Sequence, residues 1–139
     1  MAVDRGALER AAARWGIECE YTDTWGRTHI ASEETLVAIL RALGVPTGSS
    51  EEIESATHQR LLAEWSNPVE PAIVIREDSD AITLRIPSNR SGGSIKLEIG
   101  WENGDLEHHW FWLPELRELQ RVKLDGQEFL AKHATPNIV

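Results

Sequence analysis

Apolar side chains in the first half of the chain recur every three to four residues, the spacing that places them on one face of an α-helix. The first such segment runs from Arg5 to Trp15 and stops at Gly16, which favours the left-handed backbone of a helix C-terminus. The second runs from Glu33 to Leu43, and Ser32 stands at the position expected of an N-cap. The pattern therefore predicts two short amphipathic helices.

A third helical segment follows Ser49, which has a glutamate three residues later at the spacing of a capping box. Its apolar positions continue to Trp65, and two prolines soon afterwards each remove a backbone N–H and disfavour helix. We therefore predict a helical lobe over residues 1–66 and a separate domain over residues 67–139.

After residue 71 the apolar and polar positions alternate, which is typical of β-strands. The predicted fold class is α+β, in which the three-helix lobe is followed by an antiparallel β-sandwich. Nothing follows the last strand to cover it, so we expect the sandwich to be incomplete at its C-terminal edge and open to pairing. Six strands are expected, joined in pairs as 72–76 with 81–86 through the acidic turn 77–80, 94–101 with 105–113, and 120–124 with 127–131.

Two residue pairs favour tight turns, and each fixes a strand register. Asp125-Gly126 joins the last two strands and predicts Val122 opposite Phe129. A two-residue turn at Asn103-Gly104 predicts a central hairpin whose tryptophans share the buried face with aliphatic side chains, and leaves Phe111 on the polar outer face. Its predicted pairs are Trp101 with Leu106, Ile99 with His108, Leu97 with Trp110, and Ile95 with Trp112.

Length and charge narrow the class of protein. A chain of 139 residues, 41% hydrophobic and 27% charged, has the size and composition of a globular domain or a lobe with a small second domain. No apolar run approaches the roughly 18 residues of a membrane span, so we expect no membrane association and a cytoplasmic protein. The net charge of −9 disfavours nucleic acid and anionic membranes as partners but does not penalise a neutral sugar.

The tryptophans of the central hairpin are candidate carbohydrate contacts, because flat aromatic rings stack on sugar faces. Trp101, Trp110 and Trp112 form this group. Because these tryptophans are predicted to share a face with aliphatic side chains, a place in the sandwich core is favoured instead. Phe111, predicted on the polar face, is the better indication of a contact surface.

We expect no catalytic residue, metal site or cofactor in this chain. His108 and His109 are neighbours on a strand, so their rings point to opposite faces and cannot share one ion. His29 has no carboxylate partner at a ligand spacing, and the lone Cys19 is expected to be structural. The acidic residues stand at helix starts, in turns or on the outer strand face, where capping and solvation explain them.

One stretch is specific enough to indicate a family. Over residues 20–46 an aromatic, turn-rich segment leads into the second helix, and the pattern resembles the N-terminal region of bacterial 4-α-glucanotransferases, the amylomaltases of glycoside hydrolase family 77. The matching residues are Tyr21, Asp23, Trp25, Gly26, Ser32, Glu34, Thr35, Leu36, Leu40, Leu43 and Gly44.

The resemblance implies a helical segment, a small β-sandwich and then a large catalytic barrel that this chain does not contain. A (β/α)₈ barrel needs roughly 250 residues, and retaining glycosyl transfer needs two carboxylates about 5 Å apart. The resemblance thus implies a non-catalytic accessory region of an enzyme that transfers α-1,4-glucan segments between maltodextrins. Tyr21 and Trp25 would pack against the sandwich or the barrel of the same polypeptide.

Two alternatives stay open. The chain is a free-standing carbohydrate-binding module for an α-glucan or maltodextrin, or it is a protein-interaction domain. In the second case it would use the open sheet edge, where self-association is expected, or the face that carries Phe111.

Overall fold

The computed structural model describes residues 3–76, 78–79 and 81–137. It divides into two compact units, Met1–Ala63 and Glu64–Val139. The first unit holds the helices with one small hairpin, and the second holds two antiparallel sheets. The predicted α+β class is therefore confirmed.

Three α-helices form where the periodicity predicts them: α1 at Arg5–Trp15, α2 at Glu33–Ala42 and α3 at Ser50–Ser66. The division between the two units falls near the end of α3. Two short strands precede α2, β1 at Glu20–Thr22 and β2 at Thr28–Ile30, and they pair antiparallel. The sequence analysis predicted a turn-rich segment at this place and missed the hairpin.

The helix ends are fixed by the residues that the sequence indicates. Gly16 has φ 72° and ends α1 in the left-handed region. Ser32 accepts a hydrogen bond from the Thr35 backbone N–H at 3.2 Å. At the start of α3 the Ser49 hydroxyl accepts from the Glu52 N–H at 3.2 Å. These contacts satisfy N–H groups that the helix leaves without an intrahelical acceptor.

The helical unit has its own hydrophobic core, which draws on all three helices. Its largest side chains are Leu8 of α1, Leu36 and Leu40 of α2 and Ile53 of α3, and each is fully buried. Val45, after α2, closes the cluster. In α1 and α2 the buried positions recur at a spacing of three or four residues, so the sequence periodicity and the core coincide there.

The described part of the second unit contains five strands. A three-stranded sheet has the order β3–β7–β6, and a two-stranded sheet pairs β4 with β5. The strands are β3 at Ile82–Pro87, β4 at Ser94–Gly100, β5 at Leu106–Trp112, β6 at Glu118–Leu124 and β7 at Gln127–Ala134.

The predicted strand at 72–76 is wrong, because this segment has no regular structure apart from a single bridge between Arg76 and Ser79. In place of a long hairpin, Arg85 of β3 donates its backbone N–H to the Pro68 carbonyl at 2.8 Å. The predicted acidic turn includes Glu77 and Asp80, which lie outside the described residues.

The predicted open C-terminal edge is also wrong. The last strand, β7, lies in the middle of its sheet, with β3 on one side and β6 on the other. Both of its faces are covered, and Phe129, Leu130 and Ala131 are all buried. The sequence could not show this, since β7 returns to pair with β3 after 39 intervening residues.

The two tight turns behave differently. Asp125 and Gly126 both have positive φ, 48° and 79°, as a type I′ turn requires, and Val122 faces Phe129 as predicted. At the central hairpin Gly104 has φ 92° while Asn103 is not in the positive region. The predicted type I′ turn at Asn103-Gly104 is therefore wrong.

The β4–β5 loop has three residues in place of two. The Trp101 N–H donates to the Asp105 carbonyl at 2.9 Å, and the Gly104 N–H donates back to the Trp101 carbonyl at 2.9 Å. A three-residue loop with one left-handed glycine is a common hairpin connection. The strands consequently pair one residue away from the predicted register, as Ile95 with Phe111, Lys96 with Trp110, Leu97 with His109, Glu98 with His108, and Ile99 with Glu107.

A one-residue shift of register exchanges the two faces of a strand. Phe111 therefore packs inward, beside Ile95 and Leu97, against a buried cluster that includes Leu84 and Ile86 of β3. Both sheets thus contribute to one hydrophobic core. The predicted exposure of Phe111 is wrong, and so is the predicted burial of Trp110 and Trp112 with the aliphatic side chains.

Candidate functional site

The outer face of the β4–β5 hairpin carries several exposed apolar side chains, and we call it the tryptophan face. Along β5 it carries Leu106, His108, Trp110 and Trp112, because alternate residues of a strand share a face. Trp110 is 68% exposed and Trp112 is 51% exposed. Leu106 is also largely exposed. Residues two apart on a strand are separated by roughly 7 Å, so the two indoles stand side by side.

Polar groups on β4 border these rings. Glu98 accepts a hydrogen bond from His108 at 2.8 Å, and the Lys96 ammonium donates to the same carboxylate at 3.3 Å. The hydrogen bond with His108, followed by that from Lys96, holds the pKa of the Glu98 carboxyl below its usual value. Lys96 lies opposite Trp110 in the strand register. The face therefore combines apolar rings with fixed donors and acceptors.

The other two aromatic candidates of this hairpin lie elsewhere. Phe111 faces the core, as described above. Trp101 follows Gly100 and continues the strand alternation on the side of Ile99, opposite to Trp110. It is 40% exposed. The structure thus brings Trp110 and Trp112 together and separates Trp101 and Phe111 from them.

A second exposed aromatic surface lies in the helical unit, in the hairpin formed by β1 and β2, which we call the aromatic hairpin. Every residue of its two strands is exposed. The Tyr21 ring stacks on His29 with ring centroids 4.9 Å apart and planes within 16°. Trp25 stands in the turn and is 80% exposed. Such a two-stranded hairpin has few packing contacts of its own, so side-chain hydrogen bonds must order it.

Asp23 supplies those hydrogen bonds. One carboxylate oxygen accepts from the backbone N–H groups of Trp25 and Arg27, each at 2.9 Å, and the other lies 2.9 Å from His29 Nε2. The hydrogen bond with His29, followed by those from the backbone, lowers the pKa of Asp23. The sequence analysis, which considered His29 only as a metal ligand, missed this hydrogen bond, because β1–β2 pairing brings together residues six apart in sequence.

The described carboxyl groups with a clear pKa shift are Asp23, Glu98 and Glu118, and each is shifted down. For Glu118 the main cause is its hydrogen bond with Arg121. A general acid in glycosyl transfer needs a raised pKa, so these three groups have the opposite electrostatic environment. They serve as hydrogen-bond acceptors in turns and strand pairs.

Among the residues that the structure describes, no group of three or more His, Cys, Asp or Glu side chains is placed to hold a metal ion. His108 and His109 lie on opposite faces, paired with Glu98 and Leu97 respectively. None of the helices described is both long enough and apolar enough to span a bilayer.

Comparison with known proteins supports the family resemblance. The chain is homologous to part of the 4-alpha-glucanotransferases of Mycobacterium bovis and Mycobacterium tuberculosis, with 43% identity over 70 residues. The match covers 50% of this chain and only 10% of the length of each relative. No protein-family model matches the chain.

The fold has a counterpart among solved structures. The crystal structure of amylomaltase from Corynebacterium glutamicum aligns with 98% of this chain at a TM-score of 0.64, with 21% sequence identity. The alignment covers 20% of the amylomaltase chain. At this identity the match concerns the fold alone. Nearly all of the present chain aligns with a small part of the longer amylomaltase chain.

Proposed function

We propose that this chain is a non-catalytic accessory region of a cytoplasmic 4-α-glucanotransferase, an enzyme that transfers α-1,4-glucan segments between maltodextrins. The observation that carries the proposal is the homology over half of the chain to relatives about ten times longer than the matched segment. The lowered pKa of Asp23, Glu98 and Glu118 supports a role outside the chemistry, since none of the three is poised to donate a proton.

The direct test incubates the purified 139-residue chain with maltotriose and measures glucose release, with a complete 4-α-glucanotransferase as positive control. We expect no glucose from the chain alone. Release of glucose would refute the non-catalytic role. Sequencing of the gene beyond Val139 is the second test, because the proposal expects the reading frame to continue into a barrel, and a stop codon there would contradict it.

The aromatic hairpin is the surface that we propose for packing against the remainder of the polypeptide. Trp25 is 80% exposed in this chain and stands on a turn that Asp23 holds in one conformation. An exposed indole contributes little to stability in the isolated chain, but it contributes a large apolar contact area when another surface covers it. The rest of a longer polypeptide is the partner that the homology implies.

Substitution of Trp25 by Ala tests this packing. In the 139-residue chain we expect the free energy of unfolding to fall by about 1 kcal/mol at most, because Trp25 is 80% exposed and little of its surface is covered. In the longer enzyme we expect a loss of roughly 3 kcal/mol, the usual range for truncation of a buried tryptophan. Trp110→Ala is the matched control, and equal effects of Trp25→Ala in both contexts would contradict the proposal.

A carbohydrate-binding module is the second candidate function. It is favoured by the exposure of Trp110 and Trp112 on one face of β5. The two functions are compatible, since an accessory region of a glucan-acting enzyme could also bind the glucan.

A protein-interaction domain is the third candidate function. It predicts self-association through the outer strands β3 or β6.

A further inference from the structure

The strand register of the β4–β5 hairpin determines that the indoles of Trp110 and Trp112 are exposed. The alternative register with a two-residue turn would place Trp110 and Trp112 on the side of Ile95 and Leu97, where they could be buried. The three-residue loop, with Gly104 at φ 92°, fixes the register that directs them to solvent. Exposed apolar surface of this kind costs free energy of hydration, and in proteins it marks a place where something binds.

The polar groups beside the rings indicate the chemistry of the ligand. The Glu98 carboxylate is already engaged by His108 and Lys96, so opposite charges are paired within the face itself. Together with the net charge of −9, this makes an anionic ligand unfavourable. The same carboxylate, imidazole and ammonium groups retain hydrogen-bonding capacity toward hydroxyl groups. A neutral ligand with both apolar faces and hydroxyl groups fits this arrangement.

We infer that the tryptophan face is a binding site for an α-1,4-glucan chain, on which Trp110 and Trp112 stack successive sugar faces. Glu98 and Lys96 then hydrogen-bond the hydroxyl groups at the edge of the same sugars. The choice of an α-1,4-glucan rests on the proposed function, while the choice of a neutral polyhydroxy ligand rests on the face itself.

The experiment titrates the 139-residue chain with maltoheptaose and follows the indole N–H signals of its six tryptophans by NMR. Binding in roughly the millimolar range is expected for two stacked rings. We expect the Trp110 and Trp112 signals to shift and the Trp65 signal, from a buried ring, to stay. Cellohexaose, a β-1,4-glucan, is the control ligand and should shift neither ring to the same extent.

Three variants assign the binding. Trp110→Ala and Trp112→Ala should each weaken maltoheptaose binding about tenfold, a typical cost of removing one aromatic contact. Trp25→Ala is the matched control, because it removes a still more exposed tryptophan from the other unit, and its affinity should equal that of the parent chain. All three side chains are largely exposed, so folding should survive, and circular dichroism spectra check this.

Several results would overturn the site. These are indole signals that stay in place up to the solubility limit of maltoheptaose, an equal response to cellohexaose, or unchanged affinity in Trp110→Ala. A variant that altered only the sedimentation coefficient would identify a protein-docking face and also reject the glucan site. Glucose release from maltotriose would refute the non-catalytic function but leave binding intact, whereas a flat titration would remove the site and leave the homology untouched.

Discussion

The register of the β4–β5 hairpin makes a quantitative prediction about two adjacent residues. Phe111→Thr and Trp110→Thr both replace an aromatic ring by a side chain that strands tolerate well. Phe111 packs against the core cluster, whereas Trp110 is 68% exposed. An aromatic side chain buries about 200 Å² when covered, and apolar burial contributes about 25 cal/mol per Å².

From these values, loss of most of the Phe111 contact should cost about 4 kcal/mol, and loss of the covered third of Trp110 about 2 kcal/mol. Both are upper estimates, because the unfolded chain already buries part of this surface. The difference of about 2 kcal/mol is the more reliable number. The predicted two-residue turn would reverse the order, since it buries the tryptophan and exposes the phenylalanine.

Urea unfolding measures the two free energies. In a Trp15→Phe, Trp25→Phe background the remaining tryptophans all lie in the sheet unit, so their fluorescence reports that unit alone. Trp65, which is 5% exposed, remains as the reporter in both variants. A lower midpoint for Trp110→Thr than for Phe111→Thr, at equal slopes, would refute the register and with it the exposed tryptophan face.

Three further predictions concern the core, a turn and pH. Leu40→Ala removes a fully buried side chain of the helical unit and should cost 2–5 kcal/mol in thermal or urea unfolding; a loss below about 1 kcal/mol would contradict the described core. Gly126→Ala, at φ 79°, should destabilise by about 1 kcal/mol in urea, whereas Gly92→Ala, with open space around the added methyl and no positive φ, should be neutral or slightly stabilising. Because Asp23 has a lowered pKa when folded, its stabilising hydrogen bonds are complete above the ordinary value of 3.8 and are lost as the pH falls through the lower folded value. The stacked His29 ring signal should therefore shift in acid by NMR, and Asp23→Asn should remove that pH dependence; an unchanged acid titration in Asp23→Asn would contradict the assignment.

The aromatic hairpin shows what residue type and spacing leave undetermined. Tyr21, Asp23 and Trp25 form a recognisable pattern in the sequence, but the sequence does not reveal the partner of Asp23. The carboxylate meets His29 only because β1 and β2 fold back on each other and pair Tyr21 with His29. Strands of three residues carry too little alternation for a periodicity argument to detect them.

Sequence alone determined the features whose causes are local. Side-chain oxygens of Asp4, Ser32 and Ser49 each accept from a backbone N–H three residues later at the start of a helix, and a cap and the turn it closes are therefore local in sequence. The Asp125-Gly126 turn is local in the same sense, since both residues adopt the positive φ that a type I′ turn needs.

The tertiary structure decided the place of β7 and the faces of the central hairpin. Asn103-Gly104 is compatible with either of two loop lengths, and the Asn103 side chain stabilises the longer one by hydrogen bonds with Asp105. Which register prevails depends on whether Phe111 or Trp110 completes the cluster around Leu84, a residue of a different sheet. Because side chains alternate between the two faces of a strand, the register in which Phe111 packs inward places Trp110 and Trp112 on the surface.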